Sequence, residues 1–265
     1  MSLDVNVSGP IIYFSFDLPL VGRVNITQTF VSLFAVTVIL IILALVVNKR
    51  IKKRPGKLQV VAEKLVTMLY NLVEETMGKH NSHFAPYIGT IFMSSIFGTL
   101  IGMTQVFRST TADLSVTAAW ALVTTGMVWY YNIKNFGFKA WLKGFTEPIV
   151  VMTPMNIVSE IANPISMAFR HFGNVAGGSV LMSVVYAALA GLSSLIFGWI
   201  PGIIGEIPFF QVGIPAILSI YFDLFSGFVQ AFVFCLLTMI YVGSANPPRE
   251  ELPVRKKKAK KKKST

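Results

Sequence analysis

Charge is scarce in this chain: 13% of its 265 residues are Asp, Glu, Lys or Arg, against about 25% in a soluble domain. With 54% hydrophobic residues and a mean hydropathy of +0.64, that shortage excludes an ordinary soluble fold and points to a polytopic membrane protein. Cysteine is almost absent. The lone Cys235 lies in an apolar run, so no disulfide can form within the chain and a small buried thiol is expected. The three histidines are scattered, and although His80 and His83 are spaced as metal ligands can be, no cysteine or further histidine accompanies them. No metal site and no cofactor is expected. Clustered acids are missing too, which argues against an integral-membrane enzyme with an acid/base pair. The N-terminal stretch lacks a basic region, a short apolar core and a small-residue cleavage site in that order, so no cleaved signal peptide is read there.

What is present is a series of long apolar runs separated by basic loops. Residues 29–48 contain no charge, and at 1.5 Å per residue such a helix matches a hydrocarbon core of about 30 Å. Further spans are expected over 86–107, 116–132, 148–200 and 214–243. Between the first two, Leu58, Val61, Leu65, Met68, Leu69, Leu72 and Val73 recur at helical spacing while Glu63, Lys64, Asn71 and Glu74 fall largely on other faces. Residues 58–79 therefore read as an amphipathic helix at the membrane surface. The expected fold is an all-α integral membrane protein of five membrane helices plus one amphipathic interfacial helix. Its membrane domain is 29–245, preceded by a tail at 1–28 and followed by a basic tail at 246–265.

The basic residues set an expected orientation. Six of the 23 Lys and Arg lie in 49–57, three (Lys134, Lys139, Lys143) follow the third span, and nine lie in 249–263, whereas the opposite side carries Arg23 and Arg108. By the positive-inside rule the N-terminus is outside and the C-terminus cytoplasmic, in a cell inner (plasma) membrane. The net charge of +11 is then mostly a topology signal, and the lysine-rich end reads as a solvated tail near anionic lipid, not a nucleic-acid-binding segment.

Charges inside the apolar runs are the anomaly. In "FRHFGNVAGG", 169–178, Arg170 lies far from both ends of its run, where snorkelling fails. An arginine keeps its charge, and at the bilayer centre it costs at least about 2.5 to 3.5 kcal/mol. Asn174, Gly177 and Gly178 follow at helical spacing, giving a face with a cation, an amide and then no side chain, which suits close approach of another helix. On the last span Asp223, Ser226, Gly227 and Gln230 occupy i, i+3, i+4 and i+7. Their plain reading is an interhelical hydrogen bond for Gln230 and a counterion to Arg170 for Asp223; their functional reading is the lining of an ion pathway. As a single helix, 148–200 would be about 80 Å long, so it either breaks near the glycines or lies strongly tilted.

"NPISMAFRHFGNVAGG" together with "FDLFSGFVQAFVFCLLTMIYV" resembles the paired signature of subunit a of the F-type ATP synthase, bacterial type. "STTADLSVTAAWAL" and "TPMNIVSEIANP" match the same family upstream, and the resemblance runs from Gln28 to Ala245. It implies a non-catalytic stator subunit whose last two helices are long and strongly tilted, with the rotating c-ring, b-type peripheral stalk subunits and the lipid bilayer as partners. It implies that Arg170 meets the ring carboxylate and separates two ion half-channels, with Asn174 and Gln230 beside it and Gly177, Gly178 and Gly227 as small rotor-facing residues. The sequence departs from the bacterial pattern in two places: Ser179 stands nine residues after Arg170, where a carboxylate is usual, and Asp223 stands seven before Gln230, where a histidine is usual. Asp223, with Ser179 and Glu206 as weaker candidates, is expected in the outer half-channel, and Glu160 with Asn156 in the inner one. His171 replaces a usual leucine and, about 100° from the arginine's face, is expected to pack. A polytopic secondary ion-coupled transporter is the alternative, although no internal repeat accompanies the "FRHFGN" segment.

Overall fold

The computed structural model describes residues 11–19, 22–104, 107–147, 149–197 and 220–248, together with 210 and 218. Glu206 with the rest of 198–209, residues 211–217 and 219, where the expected spans 148–200 and 214–243 end and begin, the basic tail from 249 onward and the side chains of Ser179 and Asp223 lie outside the described residues.

The described residues begin with a hairpin that the apolar-run reading did not contain. Strand β1 (Ile12–Leu18) pairs antiparallel with β2 (Gly22–Thr27), in register from Phe14↔Ile26 to Leu18↔Gly22, with an irregularity between Ile12 and Phe14. Gly22 has φ +81°, a backbone geometry at the reversal that side-chain-bearing residues rarely adopt. Thr27 then ends β2 and caps helix α1 (Gln28–Lys49), accepting from the Phe30 amide at 3.4 Å. Helix α1 is apolar all round and buries Thr29, Ser32 and Val36 near its start, leaving Ile41, Ile42 and Leu45 exposed, as a lipid-facing helix does.

Helix α2 (Lys57–Met77) docks through its second half. Val73 and Met77 are buried, with Leu69 and Leu72 against the core, while Leu58, Val61 and Leu65 are exposed. Gly78, at φ +84°, ends it, and a 3-10 turn (Lys79–Phe84) leads into α3 (Ala85–Met103). Asp113 caps α4 (Leu114–Phe136) by accepting from the Ser115 amide, and the short α5 (Phe138–Gly144) follows Gly137. Helix α6 (Thr153–Phe197) runs unbroken for 45 residues, with Pro164 inside it. At 1.5 Å per residue it is about 67 Å long, so no hairpin forms at the glycines. A π-helical turn (Ile220–Phe225) feeds α7 (Ser226–Ala245).

Among the described residues, four helical stretches are long and apolar enough to cross a membrane: Gln28–Lys49, Lys79–Met103, Val150–Phe197 and Ser226–Ala245. The expected third span corresponds to α4, which carries Trp129, Tyr130, Tyr131, Asn132 and Lys134 near its end and falls short of that standard. The core lies where α3, α4, α6 and α7 meet, around Ile88, Ile91, Ala121, Met167, Ala168, Phe234 and Met239. Cys235 is buried there as expected, its thiol 3.7 Å from the Ile88 carbonyl.

Candidate functional site

The face of α6 is decided by what packs behind it. Met167, Ala168, His171, Gly178 and Met182 are buried at intervals of three, four and seven, so Asn163, Ser166, Arg170, Gly173 and Gly177 form an exposed stripe on the other side. Arg170 is exposed, and none of the carboxylates whose side chains are described pairs with it, Asp223 being outside that set. Around Gly177 an added Cβ would meet nothing within 4 Å. The open face is therefore Arg170, Gly173 and Gly177, not the expected Arg170, Asn174, Gly177 and Gly178: Gly178 is buried and Asn174 turns toward α7.

Asn174 joins the two long helices. Its Nδ2 donates to Ser226 Oγ at 2.7 Å and to the Ser226 carbonyl at 3.2 Å, while Ser226 Oγ donates back to Oδ1 at 2.9 Å. Both ends of the amide are thus satisfied at the first turn of α7. Gly227 is buried, and a Cβ there would lie 2.8 Å from Thr99 Cγ2, so its missing side chain lets α7 approach α3 within this chain. Gln230 is half-buried, with Nε2 enclosed and without a hydrogen-bond partner among the described residues.

Asp223 sits in the π-helical turn, so the regular spacing that aligned it with Ser226, Gly227 and Gln230 does not carry across that junction. Ser179 lies within α6, one residue beyond Gly178. His171 is buried to 1%, its Nε2 2.9 Å from Ser95 Oγ of α3 and its ring centroid 5.5 Å from that of Phe234. That matches its expected packing role.

A second cluster lies nearly three helical turns back along α6 from Arg170. Glu160 accepts a hydrogen bond from Trp129 Nε1 of α4, and it faces a region where α4, α5 and the start of α6 converge. A cavity of about 700 Å³ opens there, lined by Asn132, Trp141, Lys143, Glu147, Asn156 and Glu160 among others. Asn156, expected as the companion of Glu160, donates to the carbonyls of Phe145 at 2.8 Å and Glu147 at 3.0 Å, so it braces the loop rimming the cavity. Lys143 Nζ lies 3.7 Å from Glu147 on that rim. Sequence reasoning missed Trp129, because an indole near a helix end reads as a membrane-interface anchor until the acid facing it is known.

No group of three or more His, Cys, Asp or Glu able to hold a metal occurs among the described residues. The features that do converge are a fixed cation on an open helix face, an amide bridge to the neighbouring helix and an acid beside a polar cavity. The family model for the ATP synthase A chain matches residues 29–243, which takes in all of them. The chain belongs to that family. Among its relatives, "ATP synthase subunit a" of Bacillus subtilis (strain 168) is 32% identical over 221 residues, covering 78% of this chain and 86% of that protein. "ATP synthase subunit a, sodium ion specific" of Propionigenium modestum is 30% identical over 232 residues, covering 82% and 73%. "ATP synthase subunit a 1" of Crocosphaera subtropica is 30% identical over 223 residues, covering 83% and 87%. As a member of the ATP synthase A chain family, the chain is an ion-transporting membrane component of the F-type synthase, and the secondary-transporter alternative falls.

Proposed function

We propose that this chain forms two ion half-channels against the rotating c-ring and couples transmembrane H⁺ or Na⁺ flow to rotation, without catalysing a reaction itself. The reading is carried by one observation: Arg170 stands exposed on a stripe it shares with Gly173 and Gly177, on an unbroken helix longer than the membrane is thick. A long helix accommodates that mismatch by tilting, which lays the stripe obliquely against a partner. A ring carboxylate crosses lipid neutralised by its ion, because a bare charge there is strongly disfavoured. Opposite Arg170 the ionised form is stabilised and the ion leaves. Arg170 cannot carry the proton across, since its guanidinium does not deprotonate. It separates the two channels, so ions travel by riding the ring.

Asp223, with Ser179 beyond Arg170 on α6, serves the channel open to the outside in this reading. Glu160 serves the inner one, supported by the cavity beside it and the indole that orients its carboxylate. Asn174 and Gln230 hold α7 beside the cation. Helix α4 is the fifth span, α2 lies at the interface, the N-terminus is outside and the basic C-terminus cytoplasmic; b-type stalk subunits keep the chain from turning with the ring. The test is Arg170→Ala in the complete synthase in vesicles. ATP-driven ion pumping is expected to vanish while the soluble head still hydrolyses ATP; pumping at the normal rate would overturn the proposal.

A further inference from the structure

His171 stands directly after Arg170 and is the most completely enclosed polar side chain on α6. A buried imidazole is costly unless its nitrogens are satisfied, and of the two only Nε2 has a hydrogen-bond partner among the described residues, so that one bond constrains where the helix can sit. Nε2 is 2.9 Å from Ser95 Oγ, which is itself buried, on α3. Trp120 of α4 and Phe234 of α7 flank the ring, at centroid distances of 6.1 and 5.5 Å, and the main chain of Gln230 lies beside it. One side chain thus touches all three helices behind α6. Successive residues on a helix differ by about 100° in direction. Holding His171 inward therefore holds Arg170 outward, and turning α6 by one residue would, depending on the sense, either carry the guanidinium into the buried direction or swing the imidazole onto the open face.

We propose that His171 is a positioning residue for ion translocation: its hydrogen bond to Ser95 and its seat against Gln230 fix the rotation of α6, and with it the direction of Arg170. This rests on the reading of Arg170 given above. A leucine would fill much of the same volume, but it has no direction-specific bond to α3. Packing and positioning therefore rank substitutions in opposite orders. If the ring only fills space, His171→Leu is better tolerated than His171→Gln; if it positions α6, glutamine, which can still reach Ser95 with an amide, is better.

The experiment uses the complete synthase in vesicles and reads two quantities for each variant: ions pumped per ATP hydrolysed, and the thermal stability of the complex. His171→Leu is expected to lower the pumping ratio by about three-fold to tenfold, the range an interhelical hydrogen bond in a membrane supports, while stability is kept. His171→Gln is expected to recover most of the ratio. Ser95→Ala should lower the ratio similarly, and S95A/H171L should be no worse than the poorer single variant, because the two residues act through one bond. A leucine variant that couples as well as the glutamine variant, or additive losses in the double variant, would overturn the proposal. Should His171→Leu fail to assemble, Ser95→Ala decides: an unchanged ratio there overturns it. Arg170→Ala in the same vesicles separates the two claims. If that variant pumps, the function proposed for the chain fails; if it does not pump while Ser95→Ala pumps normally, only the role of His171 fails.

Discussion

At the scale of single residues, Arg170 was legible because charge is so costly in an apolar run that its presence demanded an explanation. Asn174 was only half legible. Four residues along a helix bring a side chain back to nearly the same direction, but about 40° of rotation remains, enough to turn Asn174 from the open stripe into the Ser226 contact. Spacing alone cannot tell which side of that boundary a residue falls on; the packing behind the helix does. Glu160 was visible as an acid, whereas its donor, Trp129, lies 31 residues away in sequence. Two outcomes follow at this scale. Trp129→Phe removes that donor and keeps the ring's bulk, so ion entry from the inner side is expected to slow by a few fold with assembly unchanged, measured as ATP-driven uptake in vesicles. Asp223→Asn is expected to slow ion entry from the outside by at least about tenfold, the scale on which a proton-accepting group acts; unchanged flux and unchanged pH dependence would remove Asp223 from the path.

At the scale of elements, hydropathy marked the runs well, and α1, α2 and α3 begin within one residue of their expected starts. It could not decide whether the longest run bends, because the "NVAGG" glycines suit both a break and a close helix contact. The structure shows one continuous helix. The turn before α7 was not legible, since a π-helical turn has no composition of its own and moves every residue ahead of it around the axis. Gly227 belongs to this scale as well: its role is the fit of α7 on α3. Gly227→Val is therefore expected to clash with Thr99 and to destabilise the complex by about 1 to 3 kcal/mol, the usual cost of overpacking. Heat denaturation of the assembled complex checks this, and Gly177→Ala, whose Cβ would meet no atom of this chain within 4 Å, should destabilise less.

At the scale of the whole molecule, three asparagines far apart in sequence close one end of the bundle. Asn246 Nδ2 donates to Asn81 Oδ1 at 2.6 Å, Asn135 Nδ2 donates to Asn246 Oδ1 at 2.8 Å, and His80 Nε2 donates to the Asn246 carbonyl at 2.7 Å. Asn81 is fully buried, so Asn246→Ala should cost about 1 to 3 kcal/mol by leaving an enclosed amide without its partner. This node ties the α2–α3 junction to the ends of α4 and α7. The proposed orientation is tested with the same chain: a cysteine placed at Asp17 should react with a membrane-impermeant thiol reagent added outside intact vesicles of native orientation, and one at Lys139 only once the inner face is opened. Both positions are exposed, and the native Cys235 is buried.

Composition and spacing by themselves determined that the chain is a membrane protein, where most of its apolar runs lie and that a full charge, Arg170, stands inside one of them. Those properties follow from local hydrophobicity and from the cost of a charge in lipid, and each is a sum over neighbouring residues. Tertiary structure decided which face of α6 is open, that Asn174 and Gly227 serve contacts inside the chain, and that His171 meets Ser95 across 76 positions of sequence. The reason is geometric: a helix repeats its directions every few residues, and only the helices packed against it select which of those directions is the inside.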